Sequence, residues 1–380
     1  MAHSFKKEIL IIGGGFAGLS TAYFLAKKGV HDIAIIERER KLGGHASGRN
    51  AGMVRQAVSD PLLASLAIEG QHAFRKAKNQ GWPFAFKTQG SLLLASGSKV
   101  RELYKIQEIL KNKGVSSKIL SQKEASKKVS ILKDGNFECA LFCASDSLVD
   151  IEALLKSFLK QLREFRVKIF LGRTLHSIQK TEDGYLVKAG SDTFNCKKIV
   201  NAAGAWAGAV GEKAGGTLVP FKAYRRHLFE SAPSKSYHKA WPFVWDLSHK
   251  FYFRPLNRGL LLSPCDKKAF KLKLEKAHVP GEVIDSQVQS KLFKKLKKFS
   301  PELHRLKIKK AKAGLRTMTP DGRFVIGEDA KRKGFYWVAG LGGHGLTTCF
   351  SVGRLAADLI IGKKSDINLV KSLSPSRFKN

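Results

Sequence analysis

Ile9-Leu10-Ile11-Ile12-Gly13-Gly14-Gly15-Phe16-Ala17-Gly18 is the stretch that decides the fold: four apolar residues run straight into three glycines, and a fourth glycine follows three positions later. A short apolar run of this kind reads as a buried strand (residues 8–12), the residues after it as a helix (16–28), and 33–37 as a second strand, giving a βαβ unit. Each glycine has a physical task. Gly13 permits the tight turn, Gly15 lets the backbone approach a pyrophosphate, and Gly18 lets helix and strand pack closely, while the helix N-terminus supplies amide donors and the positive end of a dipole. Glu37 ends the second strand nineteen residues after Gly18, where a carboxylate accepts the hydrogen bonds of a ribose diol. The stretch therefore predicts a dinucleotide-binding unit.

The rest of the chain fits around that unit. Its 380 residues suit two domains. With 43% apolar and 26% charged residues and no long apolar run, a soluble protein is expected. The opening residues pass directly into the first strand, so no export signal is expected and a cytoplasmic location is. Five cysteines without CxxC spacing indicate neither a disulfide framework nor a zinc site, and no metal is expected. The charge is unusual: 68 Lys+Arg against 31 Asp+Glu gives +37. Such a field favours anionic substrates, phosphate-rich polymers and acidic membrane surfaces, or else reflects a general lysine bias.

Residues 60–78 read as an amphipathic helix capped by Asp60, with Pro61 at its first position. Residues 82–95 read as extended, 98–112 as helix, 121–124 as a capping box, and 151–165 as a helix capped by Asp150. From 167 the period becomes two, with strands at 167–171, 175–179 and 185–188 and a buried strand at 198–202. Residues 217–275 look β-rich. In 283–299, apolar residues at 292, 293, 296 and 299 lie beside a dense basic face. That helix either rests on an anionic membrane where a quinone waits or packs inward. Strands near 323–326 and 335–339, a glycine loop, a helix from about Leu346 to 361 and a polar basic tail over 363–380 complete the chain.

Four segments carry a family resemblance. Glu37-Arg38-Glu39 followed by Gly43-Gly44-His45-Ala46-Ser47-Gly48-Arg49-Asn50-Ala51-Gly52 resembles the E-R, then G-x-x-x-S-x-R-N-x-G stretch of the D-amino-acid oxidase superfamily of FAD-dependent oxidoreductases. Asn201-Ala202-Ala203-Gly204, Gly314-Leu315-Arg316-Thr317-Met318-Thr319-Pro320-Asp321-Gly322 and Gly340-Leu341-Gly342-Gly343-His344-Gly345 follow in the family's order. Arg225-Arg226 and the Trp241-Pro242 to Pro264 stretch resemble the D-arginine dehydrogenase branch of that family. The resemblance implies an α/β fold: an FAD-binding Rossmann-like domain of the GR2 type (1–85, 145–216, 313–380) with an inserted antiparallel-sheet α+β substrate domain (86–144, 217–312). It implies noncovalent FAD held by Gly13, Gly15, Gly18, Glu37, Arg38, His45, Ser47, Arg49 and Asn50. It also implies that Leu175 contacts adenine through its backbone, that Ala203 and Gly204 allow a second backbone approach, and that Gly342, Gly343, His344, Gly345 and Leu346 lie at the flavin N1–C2=O edge.

For the substrate, the resemblance places Arg316 and Tyr252 on a carboxylate, with Arg226 beside them and His344 tuning the chemistry. It implies oxidation of the carbon–nitrogen bond of an amino or N-alkyl amino acid by hydride transfer to flavin N5, giving an imine and then a 2-oxo acid. Several departures matter. The position of an acid that recognises a guanidinium side chain corresponds to Gln89, so a cationic substrate is not expected. Arg55, Arg225 and Arg226 favour a small anionic, amino-acid-like substrate instead. Gly314 stands where sarcosine oxidase carries its flavin-linked cysteine. His45 lies near a covalent histidine of dimethylglycine-dehydrogenase relatives and equally matches a noncovalent one. Leu261 replaces an oxygen-activating lysine, which favours a dehydrogenase passing electrons to a quinone or other non-oxygen acceptor. A 2-hydroxy-acid dehydrogenase is the alternative, and a flavin enzyme that modifies transfer RNA a more distant one. The latter's Gly-Asn-Pro-Gln-Gly stretch is absent, so nucleic acid is not an expected partner.

Overall fold

The computed structural model describes residues 3–270, 272–274 and 283–378. The ends of the expected 217–275 and 363–380 regions, residues 271, 275, 379 and 380, lie outside the described residues.

The strand Ser4–Ile12 is the centre of a parallel sheet. Ile33–Glu37 pairs with it on one side and nearly the whole of Asp192–Asn201, from Thr193 on, on the other, with Lys168–Leu171 and Phe335–Ala339 continuing the parallel pairing outward. Helices cover this sheet, so all five residues of Ile33–Glu37 are buried and the strand is an unbroken apolar run rather than an alternation. The strand expected at 198–202 begins earlier, because its first half pairs antiparallel with Tyr185–Ala189, which in turn pairs with Leu175–Lys180. One strand thus serves the parallel core and a meander beside it.

Helices Phe16–Lys27, Pro61–Asn79, Ile151–Glu164 and Cys349–Ile360 share one apolar cluster with the sheet. Their starts follow the capping chemistry in the sequence. Asp60 accepts from the amides of Leu62 at 2.8 Å and Leu63 at 3.1 Å, and Asp150 from that of Ala153 at 3.0 Å. Ser121 and Glu124 form the reciprocal capping box.

The second sheet runs, in spatial order, Ile308–Met318, Lys222–Ser231, Gly259–Ser263, Phe251–Leu256, Phe243–Asp246, Ser91–Ala95, Cys139–Cys143 and Lys118–Ser121, with Lys268–Phe270 also on Lys222–Ser231. It is antiparallel except at one junction, where Phe243–Asp246 pairs parallel with Ser91–Ala95. The junction joins the two separate chain segments of the expected insertion. Ile308–Met318 crosses the expected boundary at 312/313, and Phe86–Thr88 pairs with Ser147–Val149 across the one near 145.

Helix Ser286–Phe299 lies on one face of this sheet. Leu292, Leu296 and Phe299 are fully buried against Phe229, Phe251 and Phe253, each contributing roughly 1.5–3 kcal/mol. The apolar stripe is therefore occupied within the fold, and of the two readings of this helix the structure has the one that packs inward. The opposite sheet face carries Trp245, Tyr252, Arg226 and Arg316, and it looks toward the glycine loops.

Two further expectations change. The last long helix begins at Cys349 rather than near Leu346, because 342–348 forms tight turns in which His344 N donates to Leu341 O and Thr348 N to His344 O. The expected polar tail folds back. Asp366 caps helix Ile367–Leu373, Leu373 is wholly buried, and Arg377 pairs with Asp321 at 2.8 Å. No described helix is long and apolar enough to cross a membrane.

Candidate active site

A long cleft starts at the carboxyl ends of the parallel strands and continues beneath the second sheet. Gly13, Glu37 and Leu175 line one end of it, and Arg316, Trp245 and Gly343 the other. Its entrance depends on two glycines. Gly13 has φ +116°, and a Cβ there would sit 2.4 Å from Ala202 O. A Cβ on Gly18 would sit 2.0 Å from Gly13 O, so the helix can approach the turn only without one. Gly18 itself does not line the cleft; its role is this packing.

Glu37 accepts from Gly14 N at 2.7 Å and Glu39 N at 2.9 Å. Burial raises its pKa while those two amides oppose the rise. Each oxygen keeps a lone pair for a diol. Ser47 Oγ accepts from Phe16 N at 2.9 Å and so ties the 43–50 loop to the helix start. Arg38 lies 4.4 Å over the Trp206 ring, and His45 meets Glu39 at 3.0 Å and packs on the same tryptophan. Ala203, Gly204, Asn50, Gly342, Gly345 and Leu346 also line the cleft.

Arg49 does not. Its Nη1 donates to Ala313 O at 3.0 Å, and it lines a separate basic groove, so the structure gives it a bracing role. Asn50 Oδ1 accepts from Gly52 N at 2.8 Å and shapes the loop. A Cβ on Gly314 would lie 2.9 Å from Arg49 Cβ, leaving little room for a larger side chain at that position.

At the inner end, Arg316 Nη2 donates to the Tyr252 hydroxyl at 3.4 Å, and Arg316 Nη1 lies against Gly343, 2.9 Å from where a Cβ would be. Tyr252 faces Trp245 across the strand pair and stacks on it at 4.6 Å. On the neighbouring strand, Arg226 is opposite Gly314 and so diagonal to Arg316 on the same face. Its Nε and Nη1 are buried with no hydrogen-bond partner. Burial and then Arg316 lower its pKa.

Arg225 points the other way, because strand side chains alternate. It binds Asp285 at 2.8 Å and Val283 O at 3.2 Å over Phe270, which turns it away from the face that carries Arg226 and Arg316. Gln89 also lies elsewhere, donating to Lys239 O at 2.6 Å in the basic groove, so its correspondence to a substrate-reading acid is corrected. His344 lies within reach of the charges of Arg55 and Arg316. Burial, then those two cations, hold its pKa down at about 3, which keeps it a neutral, weak base. Trp245 was not legible as a site residue, since only the register of Phe243–Asp246 on Phe251–Leu256 sets it beside Tyr252.

The cleft fits an extended dinucleotide, with an acid at one end and glycine loops with cationic side chains at the other. The sequence profile of the family described as DAO, FAD dependent oxidoreductase, matches residues 8–359. The chain is 24% identical over 389 aligned positions to the mitochondrial dimethylglycine dehydrogenase of Rattus norvegicus, covering 98% of this chain and 45% of that protein. It thus spans less than half the length of the curated dimethylglycine dehydrogenases it matches. Among solved structures it superposes on L-proline dehydrogenase from P. horikoshii with a TM-score of 0.87 at 23% identity, covering 99% of this chain and 98% of that one. Glycine oxidase from Geobacillus kaustophilus gives a TM-score of 0.85 at 19% identity, with 99% and 100% covered.

Proposed function

The chain belongs to the FAD-dependent oxidoreductase family, and from that premise we propose that it oxidises the carbon–nitrogen bond of an amino or N-alkyl amino acid docked by its carboxylate on Arg316 and Tyr252. FAD is the cofactor, and when bound it supplies a two-electron acceptor for the hydride leaving Cα. The protein's part is placement. A guanidinium fork and a phenol hydroxyl hold the carboxylate, Arg226 adds a second cation from the adjacent strand, and Gly343 leaves room for Arg316 beside the flavin loop. As Cα–H breaks, the nitrogen lone pair forms C=N, and water then hydrolyses the iminium to a 2-oxo acid and free amine.

The low basicity of His344 favours an amine over a hydroxy acid. Oxidising an alcohol needs a base for the hydroxyl proton, and a histidine held at about 3 is a poor one. An amine that binds unprotonated needs none. We read residues 86–144 and 217–312 as the substrate domain, since their sheet forms the cavity's roof. Noncovalent FAD is supported by His45, engaged by Glu39 and Trp206. A non-oxygen acceptor is supported by Leu261, buried beside Tyr252 where an oxygen-activating cation would be needed.

The observation that carries this proposal is the Arg316–Tyr252 contact at the end of the cleft. Its test is anaerobic mixing of the yellow protein with D- and L-amino, N-methyl amino and 2-hydroxy acids while following flavin bleaching. Bleaching by amino acids is expected, and bleaching by hydroxy acids alone would overturn the proposal.

A further inference from the structure

Arg55 is a cation that docking one carboxylate does not require. Its guanidinium lies 4.3 Å over the ring of Trp245, the same ring that stacks on Tyr252. Arg55, Trp245, Tyr252 and Arg316 therefore form one unbroken chain of contacts, and Trp245 and Arg316 of that chain line the cavity's inner end. Among the described residues, no side chain hydrogen-bonds or ion-pairs with the Arg55 guanidinium.

The position is fixed from both sides. Arg55 N donates to Thr347 Oγ1 at 3.1 Å, and Thr347 Oγ1 in turn donates to Met53 O at 3.3 Å, which pins the segment to the 342–348 loop. Arg254 Nε holds Ala51 O from the other side. Such backing sets a long side chain in advance of any ligand.

Charge balance points the same way. Arg316 is close enough to both Arg55 and Arg226 for its charge to oppose each of theirs. The nearest acids are committed elsewhere. Asp146 accepts from Gln56 N at 2.8 Å, Gln56 Nε2 at 3.0 Å and Ser91 Oγ at 2.6 Å, and it meets Arg55 only through space. Asp266 is engaged by His227 N at 3.0 Å and Nδ1 at 2.7 Å. Glu102 and the Cys265 thiol also face Arg55, and neither bonds it. One α-carboxylate answers Arg316 with Arg226 behind it and leaves Arg55 with Asp146 acting on it only through space and no anion bonded to its fork. Like charges gathered in a partly desolvated cavity are stabilised by an anion that bridges them.

We propose that the substrate carries a second anionic group, on its side chain or on its nitrogen, and that Arg55 on its Trp245 platform is the residue that recognises it. This rests on the amino-acid oxidation proposed above. Recognition is by a planar fork with a stacked face, which a lysine reproduces poorly.

The test compares matched pairs in the FAD-loaded protein: glutamate against glutamine in both enantiomers for a side-chain acid, and iminodiacetate against sarcosine for an acid on nitrogen. Wild type should favour the diacid of one pair by roughly ten- to a hundredfold in kcat/KM, the effect of one charge-assisted contact. Arg55→Met should lower that ratio at least about tenfold, with Arg55→Lys between the two and guarding against a folding failure. Equal use of acid and neutral partners, or a ratio untouched in both variants, would overturn the inference and leave amino-acid oxidation standing. Should no amine bleach the flavin, the oxidation proposal fails, and thermal stabilisation by glutarate against butyrate judges the site alone. Glutarate stabilisation lost in Arg55→Met supports it, and equal stabilisation by the two acids overturns it.

Discussion

Arg316 and Tyr252 meet at 3.4 Å although 64 residues and two intervening strands of the sheet separate them. Two long side chains reach across the sheet face and meet next to the 342–345 glycine loop, where we propose that they clamp a carboxylate. Removing the fork in Arg316→Ala should cost about 1.5–3 kcal/mol, roughly ten- to a hundredfold in kcat/KM, with most of the change in KM. Arg316→Lys should recover only part of it, since an ammonium cannot bond in a fork. Steady-state kinetics with any amino acid that bleaches the flavin checks this.

Gly18→Ala should give protein that purifies with little flavin. The added Cβ would sit 2.0 Å from Gly13 O, forcing the glycine turn away from the helix start and spoiling the pyrophosphate site. Visible absorbance per polypeptide measures the loss, and circular dichroism separates it from global unfolding.

His344 links pH to stability. In the unfolded chain it protonates near its ordinary value of 6.5, and in the folded protein only at about 3, because burial and two arginines oppose the charge. Between those values the unfolded state binds more protons, so this contribution is complete above pH 6.5 and is lost as pH falls toward 3. Denaturant unfolding of wild type and His344→Gln across that window should show the steeper decline in wild type.

Asp60 does two jobs, capping helix Pro61–Asn79 and pairing with Arg323 at 2.8 Å. Asp60→Ala should cost about 0.5–2 kcal/mol in unfolding free energy at neutral pH. Burial alone would raise the Asp60 pKa, but Arg323 and the Leu62 and Leu63 amides outweigh it and leave it below 3.8. The Asp60 contribution should therefore be present above pH 3.8 and disappear as pH falls below it, closing the gap between mutant and wild type.

Much of the nucleotide half was legible because its signals are local. A glycine turn, a cap and a buried strand each act over a few residues, and Gly13, Gly15, Glu37, Asp60 and Asp150 stand where their residue types require. Failures came where local pattern ends. The 363–380 segment reads as a tail by composition, yet Leu373 finds a pocket that no neighbour in sequence announces. The Ser286–Phe299 stripe fits a membrane or a sheet equally well, and only the sheet's apolar face decides between them.

The sequence by itself determined the cofactor unit, because dinucleotide binding needs a fixed set of residue types at fixed short spacings. The tertiary structure alone decided the proposed substrate cavity. Strand alternation sent Arg225 to Asp285 and Arg226 to the site, pairing between distant strands set Trp245 against Tyr252, and a loop pinned by Thr347 brought Arg55 onto that ring. Those contacts depend on register and on which sheet face meets the cleft, quantities set by long-range pairing that no window of sequence contains.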